Sequence, residues 1–310
     1  MRKLIALAAA LAVALAVGIV PAGAITNGTP DNGAHPYVGQ LFFYVPDEVD
    51  PRFTDPGSWF NCTGTLVSPT VVLTAGHCTF GIGLDGEPTT EDGGDGGNDV
   101  WVNFAEEPSY AGLPPSANYI PDKNQQRYED RVDWLSTQPA WHRGVSHPHP
   151  DYDNNAFFLH DAGVVVLDEP VVLDQYAEVT DEGSLDRFAK AGKNASLFDT
   201  VGYGLTLSRP KFVEGGDVRL RATPKLINLK GTFGLPDGIA AVFSNDNGKA
   251  HQGGTCSGDS GGPFLYGGTR EIVAVNSFGI NANCTGTDGA YRIDQKDDLD
   301  FLALFGITPS

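Results

Sequence analysis

The chain has 310 residues, 41% of them hydrophobic, and sets 20 basic against 39 acidic side chains for a formal net charge of −19. A surface this acidic repels phosphate backbones and argues against nucleic acid as a partner; solubility is the plain reading of the excess, and attraction of cationic substrates a secondary one. Beyond the first 24 residues the length suits one large β domain or two small ones.

Residues 1–24 read as a secretory signal peptide. Arg2 and Lys3 precede an apolar run from Leu4 to Val20, and Ala22-Gly23-Ala24 offers an A-x-A cleavage site. No other apolar run is long enough to span a bilayer, so the mature chain is expected to be exported, soluble and free of the membrane. Short β-type runs broken by Gly, Pro, Asn and Asp then dominate: Gly39–Val45, Thr65–Val67, Val71–Leu73, Val100–Phe104, Gly163–Leu167, Val218–Leu220, Ile239–Phe243 and Ile272–Val275. This spacing predicts an all-β sandwich or barrel. Between the third and fourth runs lies Leu84–Asp99, rich in Gly, Asp and Glu. Its Glu87, Glu91, Asp92, Asp95 and Asp99 could take calcium through their oxygens, although a solvated loop is the favoured reading because stacked repeats are lacking. Residues 106–138 are polar with several aromatics and suggest no element. His147 and His149 form a His-x-His pair whose Pro-rich turn points to structure rather than a metal. The one convincing helix is terminal, where Asp294 would cap a run with Leu299, Leu302 and Ala303 on one face.

The chemistry concentrates in three segments. Gly258-Asp259-Ser260-Gly261-Gly262-Pro263 puts a serine on a glycine-rich turn. A serine hydroxyl needs a base and a place for developing negative charge before it attacks. Thr74-Ala75-Gly76-His77-Cys78 supplies an imidazole, and His160-Asp161 ahead of the Gly163–Leu167 run supplies a carboxylate to orient it. Gly258–Gly262 also fits the G-x-S-x-G pattern of α/β-hydrolases, but those enzymes run serine, acid, histidine. Here the order is His77, Asp161, Ser260, the order of the chymotrypsin arrangement.

From about Ile25 onward the chain resembles the trypsin/chymotrypsin family of secreted serine endopeptidases, with unfamiliar insertions over about 79–140. Trp59–Leu66, His147–Tyr152 and Thr200–Gly204 resemble the family's strand before the histidine turn, the loop before the catalytic Asp, and a Gly-aromatic-Gly strand. The resemblance implies two six-stranded antiparallel β-barrels with a C-terminal helix: an N-terminal barrel over 25–175, then a C-terminal barrel and helix over 176–310, linked near Asp174–Leu185. It implies His77, Asp161 and Ser260 as the catalytic residues and the N–H groups of Gly258 and Ser260 as the oxyanion hole. The four cysteines allow three pairings by sequence alone; the resemblance selects Cys62–Cys78 and Cys256–Cys284. Cleavage after Ala24 would expose Ile25, whose amine is expected to pair with Asp259; an internal Arg partner for Asp259 is the alternative.

Substrate binding is expected at Gly254, Thr255, Ser277, Phe278, Gly279 and Gly289. Gly254, six residues before the nucleophile, carries no charge, and Gly279 and Gly289 as walls leave the pocket open. A large uncharged side chain before the scissile bond is therefore expected. A one-residue register shift would instead bring in Asp288 and favour Lys or Arg. The implied partners are protein or peptide substrates of a monomeric enzyme, with no cofactor required. A catalytically inactive binding protein of the same fold and a lipase or esterase are the rival readings.

Overall fold

The computed structural model describes residues 25–46, 57–83, 97–115, 124–190, 198–209, 212–246 and 252–309. The expected signal peptide, residues 1–24, and all but the end of the acidic segment at 84–99 lie outside these residues.

After a two-residue strand β1 (Thr29–Pro30), the first half runs β2 (Val38–Pro46), β3 (Gly57–Leu66), β4 (Val71–Thr74), β5 (Val100–Asn103), helix α1 (Asn124–Ser136), β6 (His142–Pro148) and β7 (Gly163–Leu167). Strands β2-β3-β4-β7-β6-β5 close into a six-stranded antiparallel barrel. Alternation sorts the side chains of β2, since successive residues of a strand point to opposite faces. Leu41 and Phe43 enter the main core with Val72, Val102 and Val164, while Phe42 faces outward.

That outward face is covered by the segment for which the sequence suggested no element. Leu135 of α1 packs with Phe42, Trp101 and Trp141, and Trp59, Tyr110, Leu113, Val132 and Trp134 border them. The Arg131 guanidinium lies 5.6 Å from the ring centroids of both Phe42 and Trp59, and its Nε donates to the Pro114 carbonyl at 2.7 Å. Tyr128 OH donates to Asp99 Oδ2 at 2.5 Å. Helix α1 is mostly polar because one narrow stripe, Tyr128, Arg131, Val132 and Leu135, does the packing at i, i+3, i+4 and i+7. That spacing was legible in the sequence, with Arg131 hidden among the apolar positions by its charge.

The second half comprises β8 (Glu178–Val179), α2 (Asp186–Lys190), β9 (Phe198–Gly202), β10 (Leu205–Arg209), β11 (Phe212–Gly215), β12 (Leu220–Ala222), β13 (Leu226–Asn228), β14 (Ala240–Asn245), β15 (Pro263–Tyr266), β16 (Glu271–Gly279), β17 (Gly286–Arg292) and α3 (Lys296–Ala303). Its main sheet has the order β1-β12-β9-β15-β16-β17-β14-β13, with β8 added to β16, and β10–β11 form a separate hairpin. Two closed barrels were expected; the structure has one closed barrel and a half-barrel. The N-terminal strand β1 belongs to this second sheet through its pairing with β12.

Buried polar groups tie the halves together. Arg219 donates Nη1 to the carbonyls of Val38 and Phe104, both at 3.0 Å, and Nε to Asp31 Oδ2 at 3.0 Å. The terminal helix is present, but Asp294 does not cap it. The Asp294 carboxylate accepts from Arg292 and from the Leu185 N–H, and the N-cap position is Gln295, without a side-chain cap bond. The buried positions of α3 are Asp298, Phe301 and Leu302, while Ala303 is exposed. An acidic residue before a helix has two uses, and a buried arginine outbids an orphan helix N–H for it.

Candidate active site

The histidine turn grows out of β4, whose four residues are all buried. Ala75 is extended, and a single 3-10 turn, Gly76–Cys78, then places His77 at the surface end of the strand. The turn is braced by a Cys62–Cys78 disulfide to β3, and Cys256–Cys284 forms the second disulfide. Asp161, fully buried, sits just before β7 after a left-handed His160 (φ 50°). Its carboxylate accepts the His77 backbone N–H at 2.8 Å and meets the His77 Nδ1 at 3.0–3.1 Å. Ser277 donates a further short hydrogen bond from its hydroxyl to Asp161 Oδ2. A buried carboxylate is tolerated when its lone pairs are met in this way. Burial is the largest influence on His77 and opposes its charged form, but the charge and hydrogen bond of Asp161 together outweigh it and raise the imidazole above its ordinary 6.5.

The serine turn is held by both halves. Thr63 of β3 donates its N–H to the Ser260 carbonyl at 2.8 Å and its hydroxyl to the Gly258 carbonyl at 2.9 Å. Gly261 (φ 76°) lies so close to the end of β4 that an added Cβ would sit 2.0 Å from Thr74 Oγ1 and 2.8 Å from the Ala75 N. Only glycine permits that approach, and it sets the serine turn against the turn that carries His77. Gly258, at φ 97°, turns the chain just before Asp259. Among the described residues the N–H groups of Gly258 and Ser260 donate to no protein acceptor, and neither the Ser260 hydroxyl nor His77 Nε2 makes a hydrogen bond. Without substrate such contacts are often long, tightening only in the reacting complex.

Asp259 points away from this cleft and is fully buried. It accepts the Gly204 and Cys256 N–H groups, each at 2.8 Å, and the Ile25 N–H. Burial, partly offset by these donors, pushes its carboxyl up to about 7. Ile25 is itself fully buried, and Thr26 forms an antiparallel bridge with Gly254. The start of the described chain is thus seated beside the serine turn, and among the described residues no arginine figures among the partners of Asp259.

The substrate-pocket residues sort differently from the sequence expectation. Strands β16 and β17 pair Phe278 with Gly289 and Gly279 with Asp288, with a register irregularity between Asn276 and Phe278. Gly289, expected as a wall, lies under the Phe278 ring, where a Cβ would fall 2.4 Å from Cε2. Asp288 takes the place opposite Gly279. Its carboxylate fills the space beside Gly254, since a Cβ there would be 2.2 Å from Asp288 Oδ2. The Thr255 N–H and the Asn245 amide donate to it at 2.7 and 2.9 Å. Burial pushes the Asp288 carboxyl up to about 6 against the pull of those donors. The uncharged base expected at Gly254 therefore adjoins a carboxylate.

Several groups escaped the sequence reading. Phe157 stands edge-on to both His77 (6.2 Å) and Phe278 (6.4 Å), and Phe233 packs edge-on to Phe278 at 5.2 Å. No local motif marks either ring. Among the described residues two groups gather metal-type donors: Cys62, His77 and Cys78, and His149, His160 and Asp297. Both sulfurs of the first are locked in a disulfide, and in the second His149 Nδ1 already takes the Asp151 N–H at 3.1 Å. Of the suggested calcium ligands only Asp99 is described, and its oxygens face Tyr128 and Arg143.

A family model described as Trypsin matches residues 125–296, more than half of the chain, a span that holds Asp161 and Ser260 and begins after His77. Serine protease 1 and Serine protease 2 of Drosophila melanogaster are each 26% identical to it over 268 residues, covering 84% of this chain and 78% of theirs. A solved structure of HL collagenase superposes with a TM-score of 0.60 at 18% identity, covering 92% of this chain and 100% of that one, a likeness that speaks for the fold alone. With a chymotrypsin-like fold and homologous serine proteases on either side of it, the chain belongs to the trypsin family and is a serine endopeptidase.

Proposed function

We propose that the exported chain cleaves proteins through Ser260, His77 and Asp161, and that it prefers a basic side chain before the scissile bond. The observation that carries the catalytic reading is the Asp161–His77 Nδ1 contact at 3.0 Å, with the Ser260 turn packed on the histidine turn. Bonded in this way to Asp161, His77 keeps its proton on Nδ1 and turns a basic Nε2 toward the cleft. Nε2 takes the proton from the Ser260 hydroxyl as its oxygen attacks the amide carbon. The carbonyl oxygen becomes an oxyanion, which the free N–H groups of Gly258 and Ser260 stabilise by about 3–4 kcal/mol per donor. His77 then returns the proton to the departing amine, leaving an acyl-serine that water hydrolyses by the same steps in reverse. Substrate backbone is received along the exposed Gly279 edge of β16 by strand addition.

Two finer readings accompany this one. Signal removal after Ala24 frees the Ile25 amine at the place where its N–H already meets Asp259, so export itself completes the site. At the pocket base, the carboxylate of Asp288 beside Gly254 favours Lys or Arg over the uncharged residue that Gly254 alone suggested. Among the described residues no helix is long and apolar enough to cross a membrane.

The test is direct. The purified mature chain is exposed to a covalent serine reagent and to Arg and Phe peptide esters, beside a Ser260→Ala variant. Labelling at Ser260, loss of hydrolysis by about four decades or more in the variant, and faster turnover of the Arg ester are expected. An active Ser260→Ala enzyme refutes the catalytic reading, and a preference for the Phe ester refutes the pocket reading.

A further inference from the structure

Asn245, Thr255 and Asp288 form a closed hydrogen-bonded circuit beneath the pocket, with Thr26 attached to it through Asn245, each of the four at most 5% exposed. Thr26 Oγ1 donates to Asn245 Oδ1 at 2.7 Å. Asn245 Nδ2 donates to Asp288 Oδ1 at 2.9 Å and to the Thr255 carbonyl at 3.0 Å. The Thr255 N–H closes the ring on Asp288 Oδ2 at 2.7 Å.

The donor inventory allows one arrangement. An ionised carboxylate only accepts, so the Asn245 amide must present NH2 to Asp288 and its oxygen to Thr26. The Thr26 hydroxyl has a single proton, for which the Asn245 oxygen at 2.7 Å is the nearer acceptor and the Gly254 carbonyl at 3.0 Å the other. Turning the amide over would aim its oxygen at the carboxylate and leave Thr26 Oγ1 facing an NH2. The orientation of one buried amide is therefore set by two acceptors, the Asp288 carboxylate and the Thr255 carbonyl, and its oxygen is met at the other end by Thr26 next to the freed terminus.

We propose that Asn245 is a positioning residue for specificity: it aims the Asp288 carboxylate at the substrate side chain and makes that aim depend on the docking of Thr26. This rests on the reading of Asp288 as the recognition group for Lys or Arg. Asn245 touches no substrate and acts through Asp288 alone. The charged groups facing Asp288 from its surroundings are Asp259, whose ionisation it opposes, and the Ile25 amine once freed; β14, β16 and the 254–255 segment present Asn245, Gly279 and Thr255, which carry no charge.

The experiment measures kcat/KM for an Arg and a Phe peptide ester between pH 5 and 9, using the mature enzyme. Their ratio cancels the titration of His77, common to both substrates, and reports Asp288. In the parent enzyme the ratio rises with pH through about 6, where Asp288 ionises. In Asn245→Ala a donor to the charged form is lost, so the midpoint moves up by about one pH unit and the ratio falls about twofold at pH 7 and about tenfold at pH 5, most of it in KM for the Arg ester. Thr26→Val keeps the shape and removes only the hydroxyl; a fall of roughly threefold at pH 5 is expected there, with recovery in Thr26→Ser. An Arg-preferring parent whose ratio and midpoint are the same in Asn245→Ala and Thr26→Val overturns the role of Asn245 and leaves Asp288 standing. A parent indifferent to Arg overturns the Asp288 reading and this inference with it.

Discussion

Retaining one residue ahead of Ile25 isolates the worth of its amine. In a chain beginning at Ala24, Ile25 offers Asp259 a neutral N–H, as it does in the structure, and burial holds that carboxyl near about 7 against an ordinary 3.8. Three pH units at 1.36 kcal/mol each put the cost of ionising it in the folded state at about 4 kcal/mol. Because the folded carboxyl binds its proton more tightly than the unfolded one, stability is fullest below pH 4 and is lost as pH rises toward 7. In a chain beginning at Ile25 an ammonium faces the same carboxylate, supplies the counter-charge and removes most of that loss until the amine deprotonates at high pH. The two chains should therefore match near pH 4 and diverge to several kcal/mol by pH 7–8, the Ile25 chain being the more stable. Urea unfolding of both chains in a Ser260→Ala background, which prevents self-digestion, reads this difference across pH 4–9. The same pair with Ser260 intact should differ in ester hydrolysis at pH 7. Parallel stability curves, or equal activity, would show that the terminal amine does not enter the Asp259 site.

Ser277→Ala removes one donor from the Asp161 carboxylate. Asp161 then leans harder on His77, whose proton is held to higher pH, so the acid limb of kcat/KM should move up from its place above 6.5 with about a tenfold loss at pH 7; an unmoved limb would mean that Ser277 plays no part in that electrostatics. Tyr128→Phe takes the hydroxyl from Asp99, which is 2% exposed, and should lower unfolding free energy by about 1–3 kcal/mol in urea titration while leaving ester hydrolysis intact; no change in midpoint would deny α1 its hold on the barrel.

What the sequence determined by itself was chemistry confined to a few adjacent residues. The Gly258–Pro263 turn, the Ala75–Cys78 turn and the Asp161 corner each need particular residue types at fixed short spacings, because backbone turns with positive φ and close approaches admit few alternatives. The order of the three segments then separated this family from the α/β-hydrolases. The strand Gly163–Leu167 was also legible, being a run of β-branched residues bounded by turns.

Tertiary structure decided whatever depends on register and on partners distant in sequence. Whether Asp288 or Gly289 meets the pocket turns on one irregularity in the β16–β17 ladder, since a one-residue slip exchanges the faces of a strand. The hydroxyl of Ser277 reaches Asp161 across 116 residues, and Thr26 reaches Asn245 across 219, contacts that no local pattern records. Asp294 joined Arg292 instead of capping α3, and polar α1 became a packed layer through a stripe half hidden by Arg131. Two closed barrels were expected and the structure has one beside a half-barrel; closure depends on the summed tilt and stagger of every strand, a quantity no single segment carries.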